Sequence, residues 1–236
     1  MVTPTLSAIP APPVLDGREL PVFAADNLAA VRAAFQSAAG CGLKQAWRSA
    51  PEADFTPGTV RVGWRGGSLL VFAELEDADI FSRATASNQR MWELGDTFEM
   101  FLQPAGADGY VEFHVTPPNH RLQVRFPDGT ARTRIPFAEL VLPGDWFQSR
   151  TWLLPGERRW FVYAEIPAAS IGAADGPLAG TDWRFSFSRY DYVRGRAEPI
   201  LSSSSPHPVA DFHRREEWGT LRLVRAEIPA GVKGIN

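Results

Sequence analysis

The chain has 236 residues, 44% of them hydrophobic, which is enough for one large β domain or two small ones with a substantial core; a single domain is expected. Its formal net charge is −3 and its Lys and Arg residues are scattered, so the electrostatic footprint of a nucleic-acid binder is missing. A lone cysteine, Cys41, excludes an intrachain disulfide and Cys-based metal spacings, and no apolar run approaches the roughly 18 residues needed to cross a bilayer.

The first segment, "MVTPTLSAIPAPPV", lacks the basic start and continuous apolar run of a signal peptide. Residues 1–14 read as an extended arm, 15–226 as the domain and 227–236 as a tail. Proline fixes φ and removes backbone donors, which keeps the start of the chain out of regular structure, although "LDGREL" (15–20) is able to add an edge strand. "NLAAVRAAFQSAA" (27–39) places Leu28, Val31 and Phe35 at helical spacing, with Asn27 as N-cap and Gly40 as stop.

From there the period becomes two. "TVRVGW" (59–64) and "SLLVFAELED" (68–77) flank Arg65, Gly66 and Gly67, a hairpin signature. "DTFEMFL" (96–102), "GYVEFHVTP" (109–117) and "RLQVRFP" (121–127) alternate. Their spacing assigns Phe98, Met100, Val111, Phe113, Val115, Leu122, Val124 and Phe126 to a buried face, and Thr97, Glu99, Glu112, His114, Gln123 and Arg125 to the other. "WFQSRTWLL" (146–154) and "RRWFVYAEIP" (158–167) form a second hairpin around "PGE". "DWRFSFSRYDY" (182–192) and "GTLRLV" (219–224) follow, and "SSSS" (202–205) reads as a flexible loop. Many short strands with Gly/Pro turns and one short N-terminal helix predict an all-β, two-layer antiparallel β-sandwich.

Catalytic signatures are few. The glycines lie between strands and match neither GxxxxGK[ST] nor GxGxxG, and no GxSxG elbow occurs. The four histidines form no HxH or HExxH spacing, so a zinc site would need ligands from distant strands. Glu99 and Glu112 leave the same face of a predicted hairpin, the arrangement by which paired carboxyls flank a glycosidic bond. Alternation on any polar sheet face produces the same pattern. Asp77 and Asp79 in "ELEDADI" could, with backbone carbonyls, hold calcium, or simply form a solvated acidic turn. Trp92 precedes Gly95 and Asp96 at a loop-to-strand junction, where an indole could stack on a sugar while Glu99 accepts hydroxyl hydrogen bonds.

Taken in order, "WELGDTFEMFL", "YVEFHVTPPN", "WFVYAEIP", "WRFSFSRYD" and "DFHRREEWGTLRL" resemble the family 9 carbohydrate-binding modules and their family 9-like relatives, from about Leu15 to Val224. The resemblance implies a non-catalytic β-sandwich that grips a saccharide between aromatic rings, often with structural calcium, in proteins usually secreted and joined to glycoside hydrolases. It places the stacking rings at Trp92 and Phe212 and the polar readers at Glu99, His114 and Thr116; Glu112, His213 and Arg189 are further candidates beside it. Trp92 lies one residue farther from Asp96 than in sugar-binding members. His114 and Thr116 replace the family's arginine and asparagine, and Phe212 replaces a tryptophan. Two other readings stay open: a glycoside-cleaving enzyme using Glu99 and Glu112, and a haem-binding, DOMON-like electron-transfer domain using Met91 or Met100 with His114.

Overall fold

The computed structural model describes residues 10–172 and 178–225, so the tail and most of the arm lie outside the described residues. Twelve strands are present among them, in two hydrogen-bonded groups. One group runs in the order β7 (Arg121–Phe126), β6 (Tyr110–Val115), β5 (Thr97–Pro104), β10 (Asp182–Asp191), β12 (Gly219–Leu223), with β11 (Ile200–Ser203) also on β10. The other runs β3 (Gly58–Arg65), β4 (Ser68–Glu76), β9 (Arg159–Pro167), β8 (Gln148–Leu154), with β2 (Ala39–Gly42) on β3.

β1 (Val14–Glu19) joins the groups. Val14–Gly17 pair in parallel with Thr220–Leu223, and Arg18 and Glu19 pair in parallel with Gly63 and Trp64. This segment was expected at an edge, and it is the end strand of each group, Val14–Gly17 on β12 and Arg18 and Glu19 on β3, each residue paired on one side. Gly17 permits the approach, because a Cβ there would stand 2.9 Å from the Leu223 side chain. Parallel partners more than 40 residues away leave no local hairpin signal, which is why the strand's partners escape sequence reading.

The largest apolar cluster takes Val62, Val71 and Val162 from one group and Phe98, Phe113 and Phe187 from the other. Each such side chain contributes about 1.5–3 kcal/mol on burial. The helix α1 (Leu28–Phe35) covers the opposite face of β4 and β9, with Val31 and Phe35 against Leu70, Phe72 and Phe161. Asn27 caps it, its Oδ1 accepting from the Ala30 N–H at 3.2 Å. Gly40 does not stop this helix. It lies in β2 opposite Arg61, where a Cβ would come within 2.7 Å of the Val60 carbonyl oxygen.

Two further expectations change. Leu122, Val124 and Phe126 pair with His114, Glu112 and Tyr110 and share their face, while Gln123 and Arg125 pair with Phe113 and Val111 and point to the other. Alternation in β7 is intact but its phase is reversed. β7 is the last strand of its group, so the polar ends of these two side chains reach loop carbonyls. The Gln123 amide donates to Leu142 and Gly144, and Arg125 donates to Ser170. The serine run is not a free loop either. Ser202, Ser203 and Ser205 are buried, and the hydroxyls of Ser203 and Ser205 lie 3.1 and 2.9 Å from that of Ser186.

Leu122, Val124, Phe126, Phe101 and Tyr110 form a second apolar cluster. It is roofed by two single-turn helices that sequence patterning missed, α2 (Ala131–Arg134) and α3 (Phe137–Leu140), and by Phe212 and Trp218. The face carrying Glu99, Glu112 and His114 is therefore covered, not solvated.

Candidate functional site

Under that roof lies a cavity of about 200 Å³. Its floor is built by strand register. Glu99 of β5 stands opposite His114 of β6, and Glu112 lies two residues away on the same face. His114 Nδ1 is 3.2 Å from Glu99 Oε1, and its Nε2 is 3.3 Å from Glu112 Oε2. Glu112 Oε1 is in turn 3.1 Å from Nδ1 of His213, which also lies 2.8 Å from the Tyr110 hydroxyl.

Glu99, Glu112 and His114 are 3%, 4% and 1% exposed, so this chain of charge is held out of water. Burial pushes the Glu99 carboxyl up to about 7, against the pull of His114. Burial also acts to lower His114, but Glu99 and Glu112 outweigh it, and the net shift is upward. An imidazole with a carboxylate at each nitrogen is best satisfied as the cation. His213 goes the other way, lowered by burial despite Glu112. Among the described residues, Glu112 Oε1 and His114 Nδ1 have no well-aligned hydrogen-bond partner, even though charged atoms lie close.

The walls come from elsewhere in the chain. Trp92 sits on a 3₁₀ turn, Met91–Glu93, half-buried, its ring 5.5 Å from that of His114 and 5.4 Å from that of Phe137. Gly95, at φ +142, lets the chain turn against the Phe81 carbonyl, 2.7 Å from where a Cβ would be. Asp96 then accepts from the N–H groups of Phe81 and Tyr192, at 2.6 and 2.8 Å, and the Tyr192 hydroxyl donates to the Trp92 carbonyl at 2.6 Å. The Gly-Asp pair thus holds the turn that presents Trp92. Phe212 forms part of the facing wall, packed on Trp47 and edge-on to Tyr190, and is 4% exposed.

Of the residues singled out by sequence, Trp92, Glu99, Glu112, His114, Phe212 and His213 all line this one cavity. Thr116 does not. It is buried at the end of β6, where its hydroxyl accepts from the His120 N–H at 3.1 Å and closes the β6–β7 turn. Arg189 is also elsewhere, because it pairs with Phe98 and so projects to the opposite face from Glu99. Sequence reading missed Tyr190, Arg132 and Asp211, together with Ile135, Phe137 and Leu140 from the short helices. One signal was available: Phe101 and Tyr110 are large apolar residues on the face assigned as polar, and such residues call for a cover.

Asp77 and Asp79 do not form a joint cation site. Asp79 faces Arg194, while Asp77 clusters with Asp96 and Asp191, with ligand-capable oxygens within 4.8 Å of one another. The oxygens of that trio are already engaged. Asp77 takes Arg189 at 2.9 Å and the Asp79 N–H at 2.8 Å, Asp191 takes Arg189 at 3.2 Å and lies 2.7 Å from the Thr56 hydroxyl, and Asp96 takes two backbone donors. Arg189 already supplies the cation to Asp77 and Asp191, so this donor set does not fit a structural calcium. The haem reading is not supported, because Met100 pairs with Phe113 on the face away from His114 and both ring nitrogens of His114 already face carboxylates. Paired-carboxyl glycoside cleavage is not supported either, since Glu99 and Glu112 both turn to the same imidazole rather than to a space between them.

No protein-family model matches the sequence, and no curated protein matches it. Solved structures do. A candidate carbohydrate-binding protein from Bacteroides uniformis aligns with a TM-score of 0.69 at 18% identity, over 89% of this chain and 98% of the other. A family 9 carbohydrate-binding module from Caldicellulosiruptor kristjanssonii, in complex with cellotriose, aligns at TM-score 0.60 and 18% identity over 95% and 100%. A family 9 module from the same organism, in complex with glucose, aligns at 0.58 and 16% over 94% and 97%.

Proposed function

We propose that this chain, which has the fold of the family 9 carbohydrate-binding modules, is a non-catalytic sugar-binding protein in which residues 15–226 make one domain, its two strand groups the layers of an antiparallel sandwich. The single apolar cluster shared by both groups supports the layering. The cavity above Glu99, Glu112 and His114 is the binding site.

One observation carries the reading. At the cavity floor an acceptor, Glu112 Oε1, and a donor, His114 Nδ1, are buried without an aligned partner, 3.1 Å from His213 Nδ1 and 3.2 Å from Glu99 Oε1. Buried polar groups left this way cost about 1–3 kcal/mol each. A hydroxyl both donates and accepts, and neighbouring hydroxyls on a pyranose supply both functions to one floor. The walls suit the rest of the sugar, because Trp92 and Phe212 line them with aromatic surface for its C–H groups. At about 200 Å³ the space is smaller than the ~300–1,000 Å³ of drug-sized pockets, and matches one ring better than a chain. Glucose and cellotriose complexes of modules with this fold point to the same ligand class.

Calorimetric titration with a panel of mono- and oligosaccharides tests this. Saturable heat with at least one sugar, weakened in Trp92→Ala, is the expected result, and no release of reducing sugar accompanies it. Absence of heat with every sugar at millimolar concentration overturns it.

A further inference from the structure

The cavity floor carries more acid than base. Glu99 and Glu112 bring two carboxyls to it, and the imidazole of His114 lies between them, 3.2 and 3.3 Å away. His213 is driven toward its neutral form by burial. Arg132, the one Arg or Lys lining the cavity among the described residues, is already held 2.9 Å from Asp211. The remaining groups that face the floor, Tyr110 and Tyr190, are phenols pushed further from ionisation by burial. Two carboxyls against one imidazolium leave a unit of negative charge with no protein cation assigned to it, in a site where unpaired charge is costly. Glu99 answers by holding its proton up to about pH 7. A ligand cation would displace that proton. Aromatic rings also line the space, and although Arg90 already lies over Trp92 and Phe137, the Tyr190 and Phe212 rings add surface whose faces attract cations.

We infer that the cavity selects an amine-bearing sugar over its neutral parent, a 2-amino hexose whose ammonium lies at the Glu99 and Glu112 carboxyls and whose adjacent hydroxyl accepts from His114 Nδ1. This inference rests on the sugar-binding reading and narrows it. The ammonium gives Glu112 Oε1 a charge-assisted donor, stronger than the neutral hydroxyl that a plain hexose would place there. It also leaves the floor neutral with Glu99 ionised, so the Glu99 proton departs to buffer as the amine binds.

Calorimetric titration of the full chain at pH 7 with glucosamine, glucose and N-acetylglucosamine provides the test. Glucosamine is expected to bind about tenfold more tightly than glucose, the factor that corresponds to one charged hydrogen bond of moderate strength. N-acetylglucosamine, which keeps the nitrogen but loses its charge, should lose that advantage. Repeating the titration in buffers of different ionisation enthalpy should reveal proton release with glucosamine alone. In Glu99→Gln, checked for folding by its melting curve, the glucosamine-to-glucose affinity ratio should fall toward one. Equal or tighter binding of glucose overturns the inference and leaves sugar binding intact. Heat from none of the three, nor from any other sugar of the panel, overturns both.

Discussion

His114 stands directly across the β5–β6 ladder from Glu99, Nδ1 3.2 Å from Oε1, with both side chains sealed from solvent. Glu112 completes a carboxyl–imidazole–carboxyl row on one face. Removing the middle member strands the other two. His114→Leu is expected to cost about 3–5 kcal/mol at pH 8, because two buried carboxylates lose the cation between them. The loss should shrink at pH 5, where the Glu99 carboxyl, raised by burial, holds its proton and leaves less charge uncompensated. Urea unfolding at the two pH values checks this, and an equal loss at both would show that the imidazole acts only by filling space.

Stability should also fall as pH rises in the wild-type protein. Burial and then Asp77 raise Asp96 to about 8, and burial raises Glu99 to about 7, both above their unfolded values. A group raised in this way binds its proton more tightly when folded. Its stabilisation is complete below the unfolded pKa and is lost as pH climbs to the folded one. The slope is roughly 1.4 kcal/mol per pH unit for each group. His207 and His213, both lowered, act in the opposite sense below about pH 6.5, the unfolded histidine value. In the window from pH 6.5 to 8 those two histidines drop out, while His114, raised by Glu99 and Glu112, acts in the same sense as the carboxyls, so denaturation midpoints should decline across it. Asp96→Asn should flatten that decline.

The two proposed stacking residues should separate by phenotype. Trp92 is half-buried on a turn held mainly by Asp96 and Tyr192, so Trp92→Ala should lower sugar affinity about tenfold or more with little change in melting temperature. Phe212 belongs to the second apolar cluster, and Phe212→Ala should lose both affinity and about 3–5 kcal/mol of stability. Thr116→Val serves as a contrast, since the Thr116 side chain touches the β6–β7 turn and not the cavity. It should leave affinity near that of wild type. Calorimetry paired with thermal melts reads all three variants.

How these residues came to be legible differs from case to case. Glu99, Glu112 and His114 follow from period-two alternation once the β5–β6 hairpin is recognised, because the pleat forces them to one face. Trp92 and Phe212 came from the order of short motifs. What alternation could not show is that this face has its own roof. α2 and α3 span one turn each and carry no periodicity, and the 207–213 segment is irregular, so neither leaves a pattern to read. β7 illustrates the complementary limit. Its sequence alternates cleanly, but Gln123 is buried as the apolar set is, Arg125 is half-buried, and only the register with β6 decides which set meets His114. Arg189 is a different case, since alternation along β10 already sets it with Phe185 and Phe187, on the face away from Glu99.

Arg189 supplies the last expectation. Its guanidinium reaches Asp77 and Asp191 at 2.9 and 3.2 Å and donates to the Glu76 carbonyl at 2.6 Å, in a cluster that also holds Asp96. An internal cation at this place leaves no work for a bound one, so a chelator such as EDTA should not change the wild-type melting temperature. Arg189→Met removes that cation and leaves three buried carboxyls facing each other, at an expected cost of about 3–5 kcal/mol. The same three carboxyls would then offer oxygen ligands to a hard divalent ion. Millimolar calcium should raise the melting temperature of the variant and leave the wild type where it was, because stabilisation by a ligand requires a site that the folded protein actually presents. A drop in the wild-type melting temperature with EDTA, restored by calcium, would show that a metal shares the cluster with Arg189.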